Sequence, residues 1–135
     1  MLSRTDQYAL QVLAHLACHP EKRMQGKELA EATGISWSYL SKILSTLRKK
    51  GFVSAEKGWG GGFKITKSAY NKSIFSVMEA VGDSKLIFSS CLFGWPKCGD
   101  KKPCPLHQDW KKISEAVTKV LKGTTIAALG CKLGR

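Results

Sequence analysis

The 135-residue sequence predicts a mainly α-helical fold with one small β-hairpin. In several segments, apolar residues repeat every three to four positions, which is the period of an amphipathic helix. One pair of segments instead alternates apolar and polar residues, and glycines separate the two. This length predicts a single domain, and no apolar run approaches the ~20 residues that a membrane span needs.

The chain is strongly basic, with 22 Lys and Arg against 10 Asp and Glu and a formal net charge of +12. Half of this excess lies between positions 37 and 67, where seven basic residues face one acid, Glu56. Nucleic acid, an anionic membrane surface or an acidic protein could bind such a chain. The N-terminus reaches polar residues at once, unlike a signal peptide, so we expect a cytoplasmic protein with reduced thiols.

A first helix is predicted close to the N-terminus. It starts at Ser3 or Thr5, which are good caps, and ends at His19-Pro20. Cys18 borders the apolar face of this helix, and we expect it to be a small core residue. The predicted buried face consists of Tyr8, Val12, Leu13, Leu16 and Ala17.

Two further short helices are separated by only three residues, Gly34-Ile35-Ser36. The earlier helix covers roughly 27–33 and ends at Gly34, as helices often do at glycine. The later one has Ser36 as its N-cap and reaches Gly51. Its apolar face contains Tyr39, Leu40, Ile43, Leu44 and Leu47. This pair is typical of a helix-turn-helix, although such pairs also occur as plain packing units.

The β-hairpin is predicted from FVSAEKGWGGGFKIT, residues 52–66. Residues 52–55 and 63–66 alternate at strand period, and a glycine-rich tip joins them. A hairpin that follows a helix-turn-helix is typical of a wing. We therefore predict a winged helix-turn-helix region over residues 1–67, which binds double-stranded DNA.

The predicted DNA contacts lie in the first turn of the third helix and at the tip of the wing. A helix in the major groove reads bases with its N-terminal residues, and Lys57 is placed to enter a minor groove. The candidate DNA-binding residues are Ser36, Trp37, Ser38, Tyr39, Ser41, Lys42, Lys57, Gly58, Trp59 and Gly60.

Residues 68–135 form the second predicted region. A short helix is expected near Gly82, with a capping box at Ser76-x-x-Glu79 or with Ser73 as a competing cap. An apolar run at 86–88 leads to a cysteine-rich loop at 91–107, and a long helix follows at about 105–123. Its apolar stripe contains Trp110, Ile113, Val117, Val120 and Leu121. The stripe is consistent with a homodimer contact and equally with packing on its own domain. We adopt the homodimer, because a two-fold dimer suits a palindromic DNA site.

The loop CLFGWPKCGDKKPCPLHQDW begins at Cys91 and also contains Cys98 and Cys104. Structural zinc sites usually take cysteines in C-x₂₋₄-C pairs. The intervals of six and five residues are wider, which favours an iron–sulfur cluster, whose cysteines bind different iron atoms. Glycines and prolines turn this loop repeatedly, so that its three sulfur atoms can meet.

His107 is the candidate fourth ligand. With Cys104 as the N-cap and Pro105 as the first helical residue, His107 lies over the same turn, and histidine can replace cysteine at a cluster. An ordinary surface or capping histidine is the alternative. Cys131, near the C-terminus, has no evident partner.

The motifs YL.KIL..LRKKGFV, KGWGGGF and C…C…CPLH..W together resemble the Rrf2 family of winged-helix transcription regulators, and the likeness extends to TTIAALG near the C-terminus. The resemblance implies an iron–sulfur cluster on Cys91, Cys98 and Cys104. His107 matches the fourth ligand of the 2Fe–2S members, and the 2Fe–2S type is favoured. A 4Fe–4S cluster is possible too, because Asp6 matches an aspartate that ligates the partner chain's cluster. The first loop has six residues where the family usually has five.

The resemblance also places Ser38, Ser41 and Lys42 among the recognition-helix contacts, and it matches Lys57 with a minor-groove arginine. Ser41 and Lys42 are not the residues that the 2Fe–2S regulators carry at these positions. The operator sequence is therefore not transferred.

We thus predict a sequence-specific transcriptional regulator, with repression favoured, whose DNA affinity depends on a cluster that senses redox state, nitric oxide or iron–sulfur status. The alternative is a DNA-binding regulator with a cluster-free thiol switch or a zinc site. An electron carrier would explain a cluster but not the winged helix. No enzyme is expected, because the sequence offers no nucleophile–base pair or paired carboxylates suited to catalysis.

Overall fold

The computed structural model describes residues 2–82 and 91–132. Within these ranges the chain is mostly helical and contains one two-stranded antiparallel sheet, so the predicted fold class is confirmed. The predicted apolar run at 86–88 and the side chain of Cys131 lie outside the described residues. In chain order the elements are α1 (Arg4–Cys18), α2 (Gly26–Thr33), α3 (Trp37–Lys49), β1 (Val53–Glu56), β2 (Gly62–Ile65), α4 (Lys67–Tyr70), α5 (Ile74–Val81), α6 (His107–Gly123) and α7 (Ile126–Lys132).

Helix α1 lies at the centre of the core. Ser3 is its N-cap, as predicted, and its hydroxyl accepts a hydrogen bond from the backbone N–H of Asp6 at 3.1 Å. Leu13 and Leu16 are fully buried, and burial of one such side chain stabilises the fold by roughly 1.5–3 kcal/mol. Cys18 is exposed, so its predicted place in the core is wrong. It is the last residue of the helix, and the helical turn after Ala17 carries it away from the buried face.

Helices α2 and α3 form the predicted helix-turn-helix. Gly34 ends α2 in the left-handed region at a φ of 72°, and its N–H donates to the carbonyl of Ala30 at 2.9 Å. The buried Ile35 fills the turn between the helices, as expected. Ser36 is the N-cap of α3, although its side chain makes no capping hydrogen bond.

Strands β1 and β2 form the predicted hairpin, with Val53 paired with Ile65 and Glu56 paired with Gly62. A third short segment extends the sheet at Met24, which exchanges two backbone hydrogen bonds with Phe63 at 2.7 and 2.8 Å. The loop between α1 and α2 therefore holds the base of the wing against the helical core.

The N-cap of α5 is Ser73 rather than Ser76. The Ser73 hydroxyl accepts from the backbone N–H of Ser76 at 3.2 Å, so the capping box predicted at Ser76 and Glu79 is wrong and the competing cap is confirmed. Ser73 also pairs with Thr125, just before α7, in an isolated bridge.

Helix α7 was not predicted, and it packs directly on α1. At Gly130, an added Cβ would lie 2.6 Å from the carbonyl carbon of Ala17, so only glycine lets the two backbones approach this closely. The buried Ile126 anchors the start of the same helix in the core.

Helix α6 has no buried residue in the described part of the chain. Within its predicted apolar stripe, Ile113 is 49% exposed and Val120 is 64% exposed. The helix starts at His107, after an N-cap at Leu106, so the predicted N-cap at Cys104 is wrong. A separate turn precedes the helix, in which the His107 N–H donates to the carbonyl of Cys104 at 3.1 Å.

Candidate nucleic-acid interface and metal centre

The N-terminal end of α3 presents polar and aromatic side chains to solvent. Ser36, Trp37, Ser38 and Lys42 are exposed. The Trp37 ring lies over Gly26, where any added Cβ would collide with the ring. The missing side chain at Gly26, the first residue of α2, therefore leaves room for this indole at the front of the helix-turn-helix.

Two other candidate DNA-binding residues of α3 are held by the chain itself. The hydroxyl groups of Tyr39 and Thr5 lie 2.7 Å apart, and the Tyr39 ring packs edge-on against Tyr8 at 5.3 Å. Ser41 donates to the backbone carbonyl of Ser38 at 3.1 Å. Both side chains are half-buried, so they are less accessible to DNA than the four exposed residues at this end of α3.

The tip of the wing consists of Lys57, Gly58, Trp59 and Gly60, all of which are exposed. Gly58 and Gly60 have φ values of 89° and 72°, a region that favours glycine. The N–H of Gly61 donates to the carbonyl of Gly58 at 3.0 Å and closes a tight turn with Trp59 at its apex.

The acid nearest the tip is already paired. Glu56 accepts from Arg23 at 3.2 Å, and at the other strand Lys64 bonds to Glu21 at 3.4 Å. Within residues 2–82 and 91–132, Lys57 makes no ion pair. Its charge is therefore available to a phosphate.

The cysteine loop brings the three predicted thiols together. The sulfur atoms of Cys91, Cys98 and Cys104 all lie within 4.8 Å of one another. Successive turns produce this convergence, since the N–H of Gly94 donates to the Cys91 carbonyl at 2.9 Å and the N–H of Cys104 donates to the sulfur of Cys98 at 3.3 Å. Cys104 is buried and the other two thiols are half-buried.

His107 lies beside this thiol group and makes two contacts. Its Nδ1 is 3.4 Å from Cys98 Sγ, and its Nε2 is 3.0 Å from Asp100 Oδ1. The Asp100 carboxylate also accepts from Lys111 at 3.4 Å. Our sequence reasoning missed Asp100, although it is the sole acid between Cys91 and His107.

The thiols differ in their ionisation. Burial tends to raise the pKa of Cys91, but hydrogen bonds from the backbone of Trp95 and Phe93 and from the other two thiols outweigh it and lower the pKa to about 7. Burial raises the pKa of Cys104 above its ordinary value. Near neutral pH, Cys91 is thus more ready than Cys104 to act as a thiolate.

Asp6, the alternative fourth ligand, is fully buried near the start of α1. Its Oδ2 accepts from the Ser3 hydroxyl at 2.8 Å, and within the described residues its Oδ1 has no hydrogen-bond partner. An added Cβ at Gly82 would collide with this carboxylate. Asp6 therefore supports its own helix, and one of its oxygen atoms has a free bonding position.

The donor set fits a metal centre that prefers sulfur and nitrogen. Thiolates and imidazole bind iron–sulfur clusters and zinc alike, whereas Mg²⁺ and Ca²⁺ prefer oxygen. Cys91, Cys98 and His107 line a cavity of about 540 Å³ between the loop and α6, so the site has room on one side. Cys104 is the buried member of the set and does not line this cavity.

The family model of Rrf2, described as an iron-dependent transcriptional regulator, matches residues 2–132. The protein belongs to the Rrf2 family. It is therefore a transcriptional regulator of the winged-helix type, which implies DNA binding, and not an enzyme. Within the described residues, no helix has the length and apolarity to cross a membrane.

Curated relatives cover almost the whole chain. A transcriptional regulator of the helix-turn-helix type from Aquifex aeolicus is 32% identical over 131 residues, which cover 96% of this chain and 90% of the relative. The regulator IscR from Vibrio vulnificus is 31% identical over 129 residues, which cover 95% of this chain and 76% of the relative.

Solved structures share the fold at lower identity. CymR, the global cysteine regulator of B. subtilis, has a TM-score of 0.77 at 23% identity, with 97% of this chain and 96% of that chain covered. IscR from T. potens has a TM-score of 0.73 at 22% identity, with 96% and 85% covered. The oxidized form of Staphylococcus aureus CymR has a TM-score of 0.74 at 22% identity, with 96% and 95% covered.

Proposed function

We propose that this Rrf2-family regulator holds an iron–sulfur cluster on Cys91, Cys98 and Cys104, and that the state of this site sets its affinity for promoter DNA. The observation that carries the proposal is the convergence of three sulfur atoms within 4.8 Å in a loop that leads directly into α6. The relatives named IscR support it, as does a family described as iron-dependent.

His107 is the proposed fourth ligand, which favours a 2Fe–2S cluster. Its Nδ1 already lies beside Cys98, and no movement of the backbone is needed to bring the imidazole to the thiol group. A bound cluster supplies one-electron redox chemistry, and its potential depends on the ligands and on hydrogen bonds to them. Asp6 of a partner chain stays the proposed ligand for a 4Fe–4S form.

The chain couples the thiols to the rest of the molecule through α6. His107 is both a proposed ligand and the first residue of that helix. A bound cluster would tie His107 to the three cysteines through one rigid group, so the loss or oxidation of the cluster would release the imidazole from that group. Because His107 is the first residue of α6, such a release is expected to turn or shift the helix.

The DNA-binding end of the proposal uses α3 and the wing. The exposed first turn of α3 would enter the major groove and read bases, while Lys57 would bind in a minor groove. The exposure of Ile113 and Val120 on the α6 stripe supports a homodimer, in which a shift of this helix changes the spacing between the two DNA-binding helices α3. A repressor would respond to such a change by leaving its operator.

A cluster-free thiol switch is the second candidate. It is favoured by the pKa of about 7 at Cys91, because a thiolate so close to Cys98 is placed to form a disulfide on oxidation. Zinc is a further possibility with the same donors, although the wide spacing of the cysteines favours it less.

Metal analysis distinguishes these candidates. Protein purified without oxygen is expected to be coloured and to contain iron and acid-labile sulfide, and Cys98→Ala should lose both. Cys18→Ala is the matched control, since Cys18 is exposed on α1, and it should keep the colour. Colourless anaerobic protein that contains zinc or no metal would refute the cluster and leave the thiol or zinc alternative.

A further inference from the structure

The apex of the wing carries an isolated aromatic side chain. Trp59 has a relative exposure of 106%, the highest among the large apolar side chains of the described residues. An indole covers much apolar area and is usually packed against something, so full exposure at a defined position indicates a surface meant for a partner.

The backbone of the turn holds the Cα of Trp59 in a defined place. The turn from Gly58 to Gly61 needs the positive φ of 72° at Gly60, and an added Cβ at Gly61 would collide with the backbone carbonyl of Glu56. The tip is therefore closed tightly onto its own strand, and the Trp59 side chain is fully exposed at the apex. Binding costs less conformational entropy when the backbone that carries the contact is ordered beforehand.

The surroundings of Trp59 fit a nucleic acid better than a protein. A protein interface usually surrounds an aromatic anchor with further apolar contacts. Here the immediate neighbours are Gly58 and Gly60, which have no side chains, and then Lys57, whose charge is unpaired within the described residues. One indole between glycines, next to one cation, matches a narrow groove with apolar sugar walls and phosphates at its rims.

We infer that Trp59 is an apolar wedge that enters the DNA minor groove beside Lys57 and partly unstacks one base step, which bends the duplex. The inference rests on the proposed DNA binding and adds a second mode of sequence selection to it. Flexible pyrimidine–purine steps deform most easily, so the operator should have a TA or CA step at the position where Trp59 of each wing contacts the minor groove. A duplex with a step that resists unstacking at this place should bind the protein more weakly, even where no base-specific hydrogen bond is made.

The test starts with selection of a preferred duplex by the wild-type protein from a random-sequence library. Affinity for that duplex, its dependence on salt, and duplex bending by energy transfer between dyes at the two ends are then measured for Trp59→Ala and Lys57→Ala. Trp59→Phe serves as the conservative variant. Thermal unfolding checks the fold of each variant, and an exposed tip residue should leave it unchanged.

Trp59→Ala is expected to weaken binding by about tenfold or more, with a straighter duplex and an unchanged salt slope, because no charge is removed. Trp59→Phe should recover part of the affinity and of the bend. Lys57→Ala should keep the bend. The slope of the logarithm of the binding constant against the logarithm of the salt concentration should become less steep by about 0.9 for each phosphate that the lysine no longer neutralises.

Equal affinity and equal bending for wild type and Trp59→Ala would overturn the wedge and leave the proposed function intact. A wild-type protein that enriches no duplex would instead refute the proposed DNA reading itself, and the wedge would fall with it. Replacing the selected TA or CA step by a GC step provides the second measure. If that replacement lowers the DNA affinity of the wild type more than that of Trp59→Ala, the wedge is supported. An equal loss of affinity in both proteins contradicts it.

Discussion

His107 Nε2 lies 3.0 Å from Asp100 Oδ1, and this contact orients the imidazole at the thiol group. The hydrogen bond with His107, together with the charge of Lys111, lowers the pKa of Asp100, so this carboxylate is ionised and can only accept. In the neutral ring Nε2 therefore carries the proton, and the lone pair of Nδ1 faces Cys98. A carboxylate that orients a ligand histidine in this way is common at metal sites.

Replacing Asp100 by Ala should therefore weaken the site without removing a thiol. We expect about a 10–100-fold loss of affinity for the bound iron, as is typical for partners of ligand histidines. In the apo protein, long-range proton–nitrogen NMR should show His107 shift from the Nε2–H form toward a mixture. Glu115→Gln is the control, because Glu115 lines the same cavity. An unchanged tautomer and unchanged iron affinity in Asp100→Ala would contradict this role.

The difference in thiol pKa predicts an order of alkylation in the apo protein. At neutral pH, iodoacetamide should modify Cys91 before Cys104, because the pKa of Cys91 is about 7 and that of the buried Cys104 is raised. The rate at Cys91 should fall as the pH drops through about 7, since its thiolate becomes protonated. Peptide mass spectrometry over time measures both rates. Faster modification of Cys104 at every pH would show that the loop has a different arrangement.

The contact between α7 and α1 predicts a sensitive glycine. Gly130→Ala places a methyl group 2.6 Å from the Ala17 carbonyl carbon and should lower the free energy of unfolding by about 1–3 kcal/mol, as overpacking does. Gly123→Ala is the matched control, because it meets no atom within 4 Å. Denaturant unfolding of both variants provides the comparison. Equal stability of the two would mean that α7 does not pack closely on α1.

The exposed stripe of α6 predicts a dimer that one charge can break. Val120→Glu places a carboxylate in the proposed apolar contact and should shift sedimentation toward the monomer at micromolar protein concentration. Lys112→Glu changes the charge of the same helix off the stripe and should leave the dimer intact. A monomeric wild-type protein, or a Val120→Glu dimer as stable as the wild type, would remove α6 as the contact.

The elements that local chemistry determines could be predicted from sequence. Gly34 ends α2 and Ser36 caps α3, so the turn of the helix-turn-helix depends on residues that are adjacent in the sequence. The turn of the hairpin likewise depends on the consecutive residues of its glycine-rich tip. Local chemistry did not decide the start of α5, because Ser73 and Ser76 are both good caps, and the bridge from Ser73 to Thr125 favours the former. Helix α7 escaped prediction because it is short and depends on distant contacts at Gly130.

The candidate site was predictable in its thiols but not in its supporting contacts. The turns of the loop bring Cys91, Cys98 and Cys104 together, and the glycines and prolines of the sequence predicted those turns. The contact of Asp100 with His107 depends on the folded loop, so sequence spacing alone indicated no partner for this acid. The prediction for Cys18 was wrong because the buried face of α1 includes Ala17 but not the next residue. The spacing of apolar residues in the sequence does not show the boundary of that face so sharply.

Control of DNA affinity by the state of the cysteine site can be measured by comparing three preparations of the protein. Cluster-loaded protein, apo protein and Cys98→Ala are titrated with the same selected duplex at one salt concentration without oxygen. Coupling of the usual size predicts affinities of the loaded and apo forms that differ by about 5–150-fold, with Cys98→Ala matching the apo form. Equal affinity of the loaded and apo forms for every duplex would contradict the account.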